Sequence, residues 1–224
     1  MSATQTNSRR RQRALTAVGV AFILAGLGFL GYVGWQYYGT DVVSKHKQAE
    51  VRESLVLNWD KGIDGDAIGL LRVERFGKDY EVPIVPSFEK SALARGIGWY
   101  EKGAKPGQIG NFAIAGHRVT HGEPFRDFLK LRKGDDVVVE TRTQIFTYNL
   151  RNNGTDITVD FTTSWPLQAV PVKGKANAKA TEPVLTMLTC SELFHTRDRS
   201  AVLGDLVKTV DKTGKTGKTK GSSG

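Results

Sequence analysis

The sequence predicts an all-β domain behind a single N-terminal membrane-spanning helix. The segment from Ala14 to Thr40 contains no charged side chain. Beyond residue 66, short runs of β-branched, aromatic and aliphatic residues alternate with turn-forming residues,. Eight such runs follow one another, which favours a β-barrel or a β-sandwich. With 224 residues, 39% hydrophobic and 25% charged, the chain has the composition of a folded protein and the length for one domain with appendages,.

The first 40 residues predict a basic head and a membrane anchor. Residues 1–13 are polar and basic, which is typical of a disordered head,. Residues 14–33 are almost all apolar, and about 20 such residues in a helix cross a hydrocarbon layer of roughly 30 Å. Aromatic residues of the kind found at membrane interfaces follow at Trp35, Tyr37 and Tyr38,. The arginines of the head predict a cytoplasmic N-terminus with the rest of the chain outside the cell membrane.

A cleaved signal peptide is the alternative interpretation of this segment. Its apolar run exceeds the roughly 7 to 15 residues usual for a signal peptide, and no Ala-x-Ala site follows it,. The sequence therefore favours a retained anchor over residues 14–40.

Three further segments complete the predicted organisation. Residues 41–66 mix charged and apolar side chains and predict a helical or irregular stalk, which ends in a glycine- and aspartate-rich stretch,. Residues 67–210 are the predicted β-domain, and residues 211–224 are low in complexity and predict a disordered tail,.

The predicted domain consists of short strands and two short helices. The strands are Ala67–Val73, Glu81–Val85, Asn111–Ala115, Asp136–Thr141, Gln144–Leu150, Asp156–Phe161, Val184–Thr189 and Ala201–Val207. The helices are predicted at Phe88–Ala94, stopped by Gly96, and at Pro124–Leu131, stopped by Gly134,. Residues 173–182, rich in lysine, alanine and glycine, predict a mobile loop,.

Charge and cysteine content exclude several classes of protein. Of the net charge of +9, four charges lie before residue 14 and a net four after residue 207, which leaves +1 for the residues between them. A domain this close to neutral lacks the basic face of a nucleic-acid-binding fold. The single cysteine excludes an intrachain disulfide, and no histidine lies at ligand spacing from it,. The sequence therefore predicts a free thiol and neither a metal nor a cofactor.

Three residues have the chemistry of an acyl-transfer site. Cys190 ends a predicted buried strand, although a lone cysteine often packs as a small hydrophobe,. His117 follows another predicted strand, and an imidazole supplies the proton transfer that a thiol of pKa about 8.5 needs at neutral pH. Arg199, nine residues after Cys190, offers the forked donors that stabilise a developing oxyanion,.

These residues resemble a known family in their order and their motifs. Gly116-His117-Arg118, Thr186-Met187-Leu188-Thr189-Cys190 and Arg199, in that order behind one N-terminal anchor, resemble the sortases of Gram-positive bacteria. Gly110-Asn111-Phe112 and Gly122-Glu123-Pro124-Phe125 are most similar to the class E housekeeping enzymes of actinobacteria. The family motif is Thr-Leu-x-Thr-Cys, and this chain has Met187 in place of the leucine, an apolar replacement of similar volume,.

The resemblance implies an eight-stranded barrel and a cysteine transpeptidase without a cofactor. Cys190 would attack the Thr–Gly carbonyl of a Leu-Pro-x-Thr-Gly or Leu-Ala-x-Thr-Gly sorting signal and form a thioacyl enzyme. His117 would transfer protons to the leaving amine and from the incoming amine, and Arg199 would hold the oxyanion. The implied partners are secreted proteins that carry the signal and a lipid-linked peptidoglycan precursor, and the enzyme would be an extracellular, membrane-anchored monomer.

Some roles stay open at the level of sequence. Thr189 and Tyr100 are the predicted substrate-binding residues, with a solvent-facing turn aromatic as the alternative for Tyr100. Arg197 competes with Arg199 for the arginine role, and the family spacing favours Arg199. His121 and His195 are predicted as loop residues. A membrane-tethered cysteine endopeptidase that uses water as acceptor, or a non-catalytic wall-binding β-domain, remains the alternative function.

Overall fold

The computed structural model describes residues 3–35, 39–190 and 197–212, and it describes side chains from residue 13 onward within these ranges except that of Cys190. The chain divides into one unit that ends at Thr40 and another that begins at Asp41. The first unit contains helix α1 (Ala3–Gly34), in which Arg13–Gly34 is long and apolar enough to cross a membrane, with a mean hydropathy of 2.1. Residues 3–13, predicted as a disordered head, belong to this helix. α1 is thus a candidate membrane anchor.

The second unit begins with helix α2 (Thr40–Asp60), which forms from residues predicted as a stalk. Leu55 of α2 is 1% exposed and packs in a small apolar cluster with Ala67, Leu70 and Val85. Ser44 and Gln48 of the same helix are also buried. α2 therefore packs against the β-domain through Leu55, and a helix is one of the two forms that the sequence predicts for this segment.

Nine strands follow α2 in the described part of the chain. They are β1 (Gly69–Val73), β2 (Val82–Pro86), β3 (Ile97–Trp99), β4 (Gly110–Ala115), β5 (Asp136–Glu140), β6 (Gln144–Leu150), β7 (Ile157–Asp160), β8 (Pro183–Cys190) and β9 (Asp198–Asp211). Eight of them lie within a few residues of a predicted strand. The exception is β3, a segment of three residues that the sequence pattern does not predict.

Eight of the strands close into a barrel. The ring runs β6-β5-β1-β2-β3-β4-β8-β9, and β9 returns to pair with β6. β7 lies outside the ring and pairs with the first residues of β9. The prediction of an eight-stranded barrel is confirmed, but β3 belongs to the ring and β7 does not.

The barrel interior is built by the alternation of side chains along the strands. In β5, Val137 and Val139 are fully buried, whereas Asp136 points to solvent. In β6, Phe146, Tyr148 and Leu150 are the buried set at the same spacing of two residues,. The buried residues of β5 and β6 therefore lie on one face, and that face lines the main core of the barrel,.

Both predicted helices are shorter in the structure. The first is a single turn, α3 (Lys90–Leu93), and the second is reduced to a 3-10 turn at Phe128–Lys130. Phe125, Phe128 and Leu131 are all fully buried and lie three residues apart. Because a 3-10 turn repeats every three residues, this spacing suits a 3-10 turn better than an α-helix.

The predicted disordered tail begins too early. Asp211 belongs to β9 and lies opposite Gln144. The ammonium of Lys212 donates to Glu140 Oε1 over 2.6 Å and lies 4.4 Å from the centre of the Trp59 ring. Residues 211 and 212 are therefore part of the barrel, and residues 213–224 lie outside the described part of the chain.

Candidate active site

The strand pairing brings three predicted site residues to one end of the barrel. β4 and β8 are parallel neighbours, with Ala115 opposite Leu188. Two residues further along each strand, His117 follows β4 and Cys190 ends β8. β8 and β9 are antiparallel, and Cys190 lies directly opposite Arg199. The backbones of His117, Cys190 and Arg199 therefore lie side by side at the ends of three adjacent strands.

Two hydrogen bonds fix the approach of β4 to β8 just before these residues. The amide of Gly116 donates to the Leu188 carbonyl over 3.1 Å. The hydroxyl of Thr189 donates to the Gly116 carbonyl over 2.9 Å, and Thr189 is only 2% exposed. Thr189 thus connects the residue before His117 to the residue before Cys190. It also lines the neighbouring cleft, and its predicted contact with substrate stays a prediction.

A second polar bridge lies deeper between the same strands. The side-chain amide of Asn111, a buried residue of β4, donates to the backbone carbonyls of Pro166 and Gln168 over 2.7 and 2.9 Å. The hydroxyl of Thr186 in β8 donates to the Asn111 side-chain oxygen over 2.7 Å. Because each of these buried groups has a partner, the bridge holds the segment around Pro166 in place at the wall of the cleft.

The cleft beside these residues has a volume of about 250 Å³ and is mostly apolar. Leu93, Leu167 and Leu188 contribute aliphatic surface, and His117, Thr189 and Arg199 contribute polar groups. An apolar groove with a few convergent polar groups is the usual form of a site that binds an organic ligand or a peptide. Tyr100 does not line this cleft. Its ring contacts that of Phe88, which does, with the ring centres 5.7 Å apart.

The imidazole of His117 stacks on a second imidazole. The rings of His117 and His121 are 4.5 Å apart between centres and 21° from parallel. His121 Nδ1 lies 3.0 Å from the hydroxyl of Thr120, and the His117 carbonyl accepts a hydrogen bond from the Phe125 amide over 2.9 Å. The sequence predicted His121 only as a loop residue. His195, the other predicted loop histidine, lies outside the described residues.

The two candidate arginines have different surroundings. Arg197 Nε binds Asp160 over 2.9 Å, and this hydrogen bond, with those from Thr162, holds the pKa of Asp160 well below its ordinary value. Arg199 lines the cleft, and its Nη1 donates to the Asp198 carbonyl over 2.9 Å. Both guanidinium groups lie near the Phe161 ring, that of Arg197 5.1 Å and that of Arg199 5.9 Å from the ring centre. Arg199 is thus the arginine that shares the cleft with His117.

Sequence reasoning missed the rim formed by Asp160 and Phe161. Both residues line the cleft, and Phe161 is 56% exposed despite its size. Both residues stand at the end of the predicted strand Asp156–Phe161, which lies opposite the start of β9 in the structure. This strand-end position could have identified them as candidate site residues. Among the residues that the structure describes, no group of three or more His, Cys, Asp or Glu side chains is placed to hold a metal ion.

Comparisons with known proteins agree with this architecture. The family model for the sortase domain matches residues 71–207. Sortase SrtE1 of Streptomyces coelicolor is 31% identical over 221 residues, an alignment that covers 87% of this chain and 58% of that protein. Sortase SrtE2 of the same organism is 25% identical, covering 91% of this chain and 89% of that protein. The chain therefore spans somewhat more than half the length of SrtE1.

Solved structures show the same barrel. Sortase E from Streptomyces avermitilis is 32% identical over 69% of this chain and 95% of that chain, with a TM-score of 0.56. The SrtA sortase from Actinomyces oris is 26% identical over 70% of this chain and 87% of that chain, with a TM-score of 0.60. The family model covers more than half of the chain, and its match includes most of β1, all of β2 to β8 and most of β9. We conclude that this chain belongs to the sortase family.

Proposed function

We propose that this chain is a membrane-anchored cysteine transpeptidase, which cleaves a sorting signal between threonine and glycine and transfers the protein to a peptidoglycan precursor amine. Sortases in general act on proteins that carry sorting signals and on cell-wall precursors. The observation that carries the proposal is the meeting of His117, Cys190 and Arg199 at the ends of three adjacent strands. An apolar cleft lined by His117 and Arg199 opens there.

In the first half of the reaction, the Cys190 thiolate attacks the threonine carbonyl of the signal. The new carbon–sulfur bond produces a tetrahedral intermediate whose negative charge lies on the former carbonyl oxygen. Donors aimed at such an oxygen stabilise the transition state more than the substrate. We assign this role to Arg199, whose backbone lies opposite Cys190. Its planar guanidinium presents several donors at once.

Collapse of the intermediate breaks the threonine–glycine bond. The leaving amine needs a proton, which the His117 imidazolium donates, and a thioester to Cys190 remains. In the second half, the acceptor amine attacks the thioester and His117 takes its proton. The thiolate then leaves, and a new amide bond joins the signal to the acceptor. The proton and the thiolate are both regenerated, so the cycle consumes nothing beyond the two substrates.

The shape of the site supports a peptide substrate. Sortase E1 of Streptomyces coelicolor, 30% identical to this chain with a TM-score of 0.54, has been solved with a tripeptide in its active site. In this chain the aliphatic side chains of Leu93, Leu167 and Leu188 suit the apolar first positions of a Leu-Pro-x-Thr-Gly or Leu-Ala-x-Thr-Gly signal. The resemblance to class E enzymes implies the alanine-containing form, and we propose that form for this chain. Helix α1 would hold the enzyme at the membrane.

The experiment uses the full chain in detergent, quenched fluorescent peptides of both signal types, and a small amine acceptor added or omitted. We expect an amine-linked product, identified by mass spectrometry, that increases with acceptor concentration. Hydroxylamine should trap the thioacyl intermediate from the wild-type enzyme, and Cys190→Ala should give neither product. His117→Ala should lower kcat by about 10² to 10⁴-fold, the usual contribution of general acid–base catalysis.

Two other outcomes would reject the proposal. Cleavage that yields only the hydrolysed acid at every acceptor concentration would identify a cysteine endopeptidase. Absence of cleavage, together with a Cys190 thiol inert to alkylation in the folded chain, would indicate a non-catalytic wall-binding domain.

A further inference from the structure

The loop that follows His117 contains an unusual turn. His121, Gly122 and Glu123 have φ angles of 55°, 80° and 49°, so three consecutive residues adopt the left-handed conformation. Residues other than glycine rarely adopt this conformation, because the Cβ atom then crowds the backbone. Such a turn persists when neighbouring structure holds it, and turns of this kind occur at functional sites. The neighbouring structure here is helix α2.

Two side chains of α2 hold the turn by its backbone. The Asp41 carboxylate accepts a hydrogen bond from the Gly122 amide over 2.9 Å. The Gln48 side-chain amide donates to the His121 carbonyl over 3.1 Å, and Gln48 is 9% exposed. Asp41 and Gln48 are seven residues apart, two helical turns, and therefore lie on the same face of α2,. A Cβ added at Gly122 would lie 2.7 Å from Gln48 Nε2, so the helix and the turn are in close contact.

This turn places the His121 ring against the His117 ring. The two imidazole rings stack face to face, 4.5 Å apart between centres. The same loop closes behind His117, where the Phe125 amide donates to the His117 carbonyl. Phe125 is fully buried, and a Cβ added at Gly116 would lie 2.8 Å from its ring. A continuous series of contacts therefore runs from α2 through the turn and His121 to the His117 ring.

We propose that His121 is a positioning residue for His117, and that Asp41 and Gln48 of α2 hold His121 in that position. The inference rests on the proposed function, because it concerns the orientation of the proton-transfer residue. A flat ring stacked on an imidazole limits its tilt, and proton transfer depends steeply on the alignment of the donor. Helix α2 is then a part of the active-site support and not only a connection to the preceding segment of the chain.

This proposal predicts a specific kinetic signature. His117 acts on the reacting amines and not on the bound signal, so a misaligned His117 lowers kcat and leaves KM for the signal peptide within about twofold. A purely structural role for α2 would lower the unfolding midpoint and leave kcat of the folded enzyme unchanged.

The test uses five single variants and wild type as the full chain in detergent, with kcat and KM measured for the peptide in the presence of amine. Asp41→Ala and Gln48→Ala should each lower kcat about fivefold, the rate equivalent of one ordinary hydrogen bond. His121→Asn should lower kcat about tenfold, because asparagine tolerates the left-handed conformation but supplies no ring. Lys47→Ala, an exposed neighbour on α2, is the matched control and should match wild type. Asp41→Asn, which keeps an acceptor oxygen, should return kcat to within about twofold of wild type.

A double variant tests whether the contacts act in series. If α2 acts through His121, Asp41→Ala combined with His121→Asn should cost little more than His121→Asn alone. Wild-type kcat in folded Asp41→Ala and Gln48→Ala would overturn the proposal, as would full additivity in the double variant. If His121→Asn does not fold, Asp41→Ala and Gln48→Ala decide the question, since both leave the two histidines in place. If wild type itself forms no amine-linked product, the proposed function fails and this inference fails with it.

Discussion

Arg197 and Arg199 lie two residues apart and both lie near the Phe161 ring, yet they have different partners. Arg197 forms an ion pair with Asp160 outside the barrel ring, whereas Arg199 lies opposite Cys190 and lines the cleft. Side chains two residues apart in extended backbone project from the same face. Arg197 directly precedes β9, and both side chains reach the same aromatic ring.

This difference predicts how two conservative substitutions should behave. Arg199→Lys retains the charge but loses the planar fork of donors, and we expect kcat/KM for the signal peptide to fall by about tenfold or more. Arg197→Lys removes a contact of an exposed ion pair and should reduce kcat/KM by about twofold at most,. Peptide cleavage by the two purified variants makes the comparison. The opposite ranking would transfer the arginine role to Arg197.

At the residue scale, the sequence predicts those site positions that depend on the ends of strands. His117 and Cys190 each follow an apolar run that ends at the same edge of the sheet, and the spacing of nine residues to Arg199 matches an antiparallel return. The stack of His121 on His117 could not be predicted. It depends on three left-handed residues, two of which are not glycine, and on side chains of a helix more than seventy residues away in sequence.

Helix α2 shows the same limit at the scale of elements. Its mixture of charged and apolar residues predicted a helix or an irregular stalk, but the partners of Leu55 come from β1, β2 and the segment before β1. Strand β3 was missed for a similar reason. It has only three residues, and its parallel pairing is with β2, a segment that is not adjacent in sequence. The long alternating strands β5 and β6 were predictable because the pattern within each strand carries the information.

The packing of α2 predicts a difference between two leucines of the same helix. Leu55→Ala should destabilise the protein by about 2 to 5 kcal/mol, the usual cost of truncating a buried leucine,. Leu57 is 51% exposed, and Leu57→Ala should change the free energy of unfolding by less than about 0.5 kcal/mol,. Urea unfolding of the full chain in detergent measures both. Equal effects would mean that α2 does not pack on the barrel through Leu55.

The end of β9 predicts a dependence of stability on pH. Burial alone would raise the pKa of Glu140, but hydrogen bonds from Lys212 and Arg72 and the charges of these two residues hold that pKa below the ordinary value of 4.5. A carboxylate whose pKa is lowered in the folded state stabilises the protein above its unfolded-state pKa. This contribution decreases as the pH falls through the folded-state pKa.

We therefore expect Lys212→Ala to lower the free energy of unfolding by about 1 kcal/mol at pH 7. The difference from wild type should shrink as the pH falls below 4.5, the ordinary pKa of this carboxyl group, and Glu140 becomes protonated,. Urea midpoints at both pH values provide the measurement. Deletion of residues 213–224 is the control, since these residues are predicted to add nothing to stability, and a clear loss of stability on their removal would contradict that prediction.

At the scale of the whole molecule, the uneven charge of the first residues predicts an orientation. Four arginines precede the apolar part of α1, and cytoplasmic flanks of membrane helices are rich in such residues,. A protease added outside intact cells should remove the barrel domain and leave the head protected. A mature protein that begins after Thr40, found free in the medium, would show instead that the apolar segment is a cleaved signal.

Strand β9 is the last strand to leave the ribosome among those described, and it contacts three others. It pairs with β8 and β7 near the cleft and with β6 further along, so it both closes the ring and supplies Arg199. A nascent chain that ends before about residue 198 lacks β9, so one edge of β8 and one edge of β6 stay unpaired,. Barrel closure and assembly of the reactive site are therefore one event in biogenesis. If Cys190 and Arg199 act as we propose, a chain that ends before β9 has the proposed nucleophile without the proposed oxyanion-binding arginine, and it should be inactive until β9 has been synthesised.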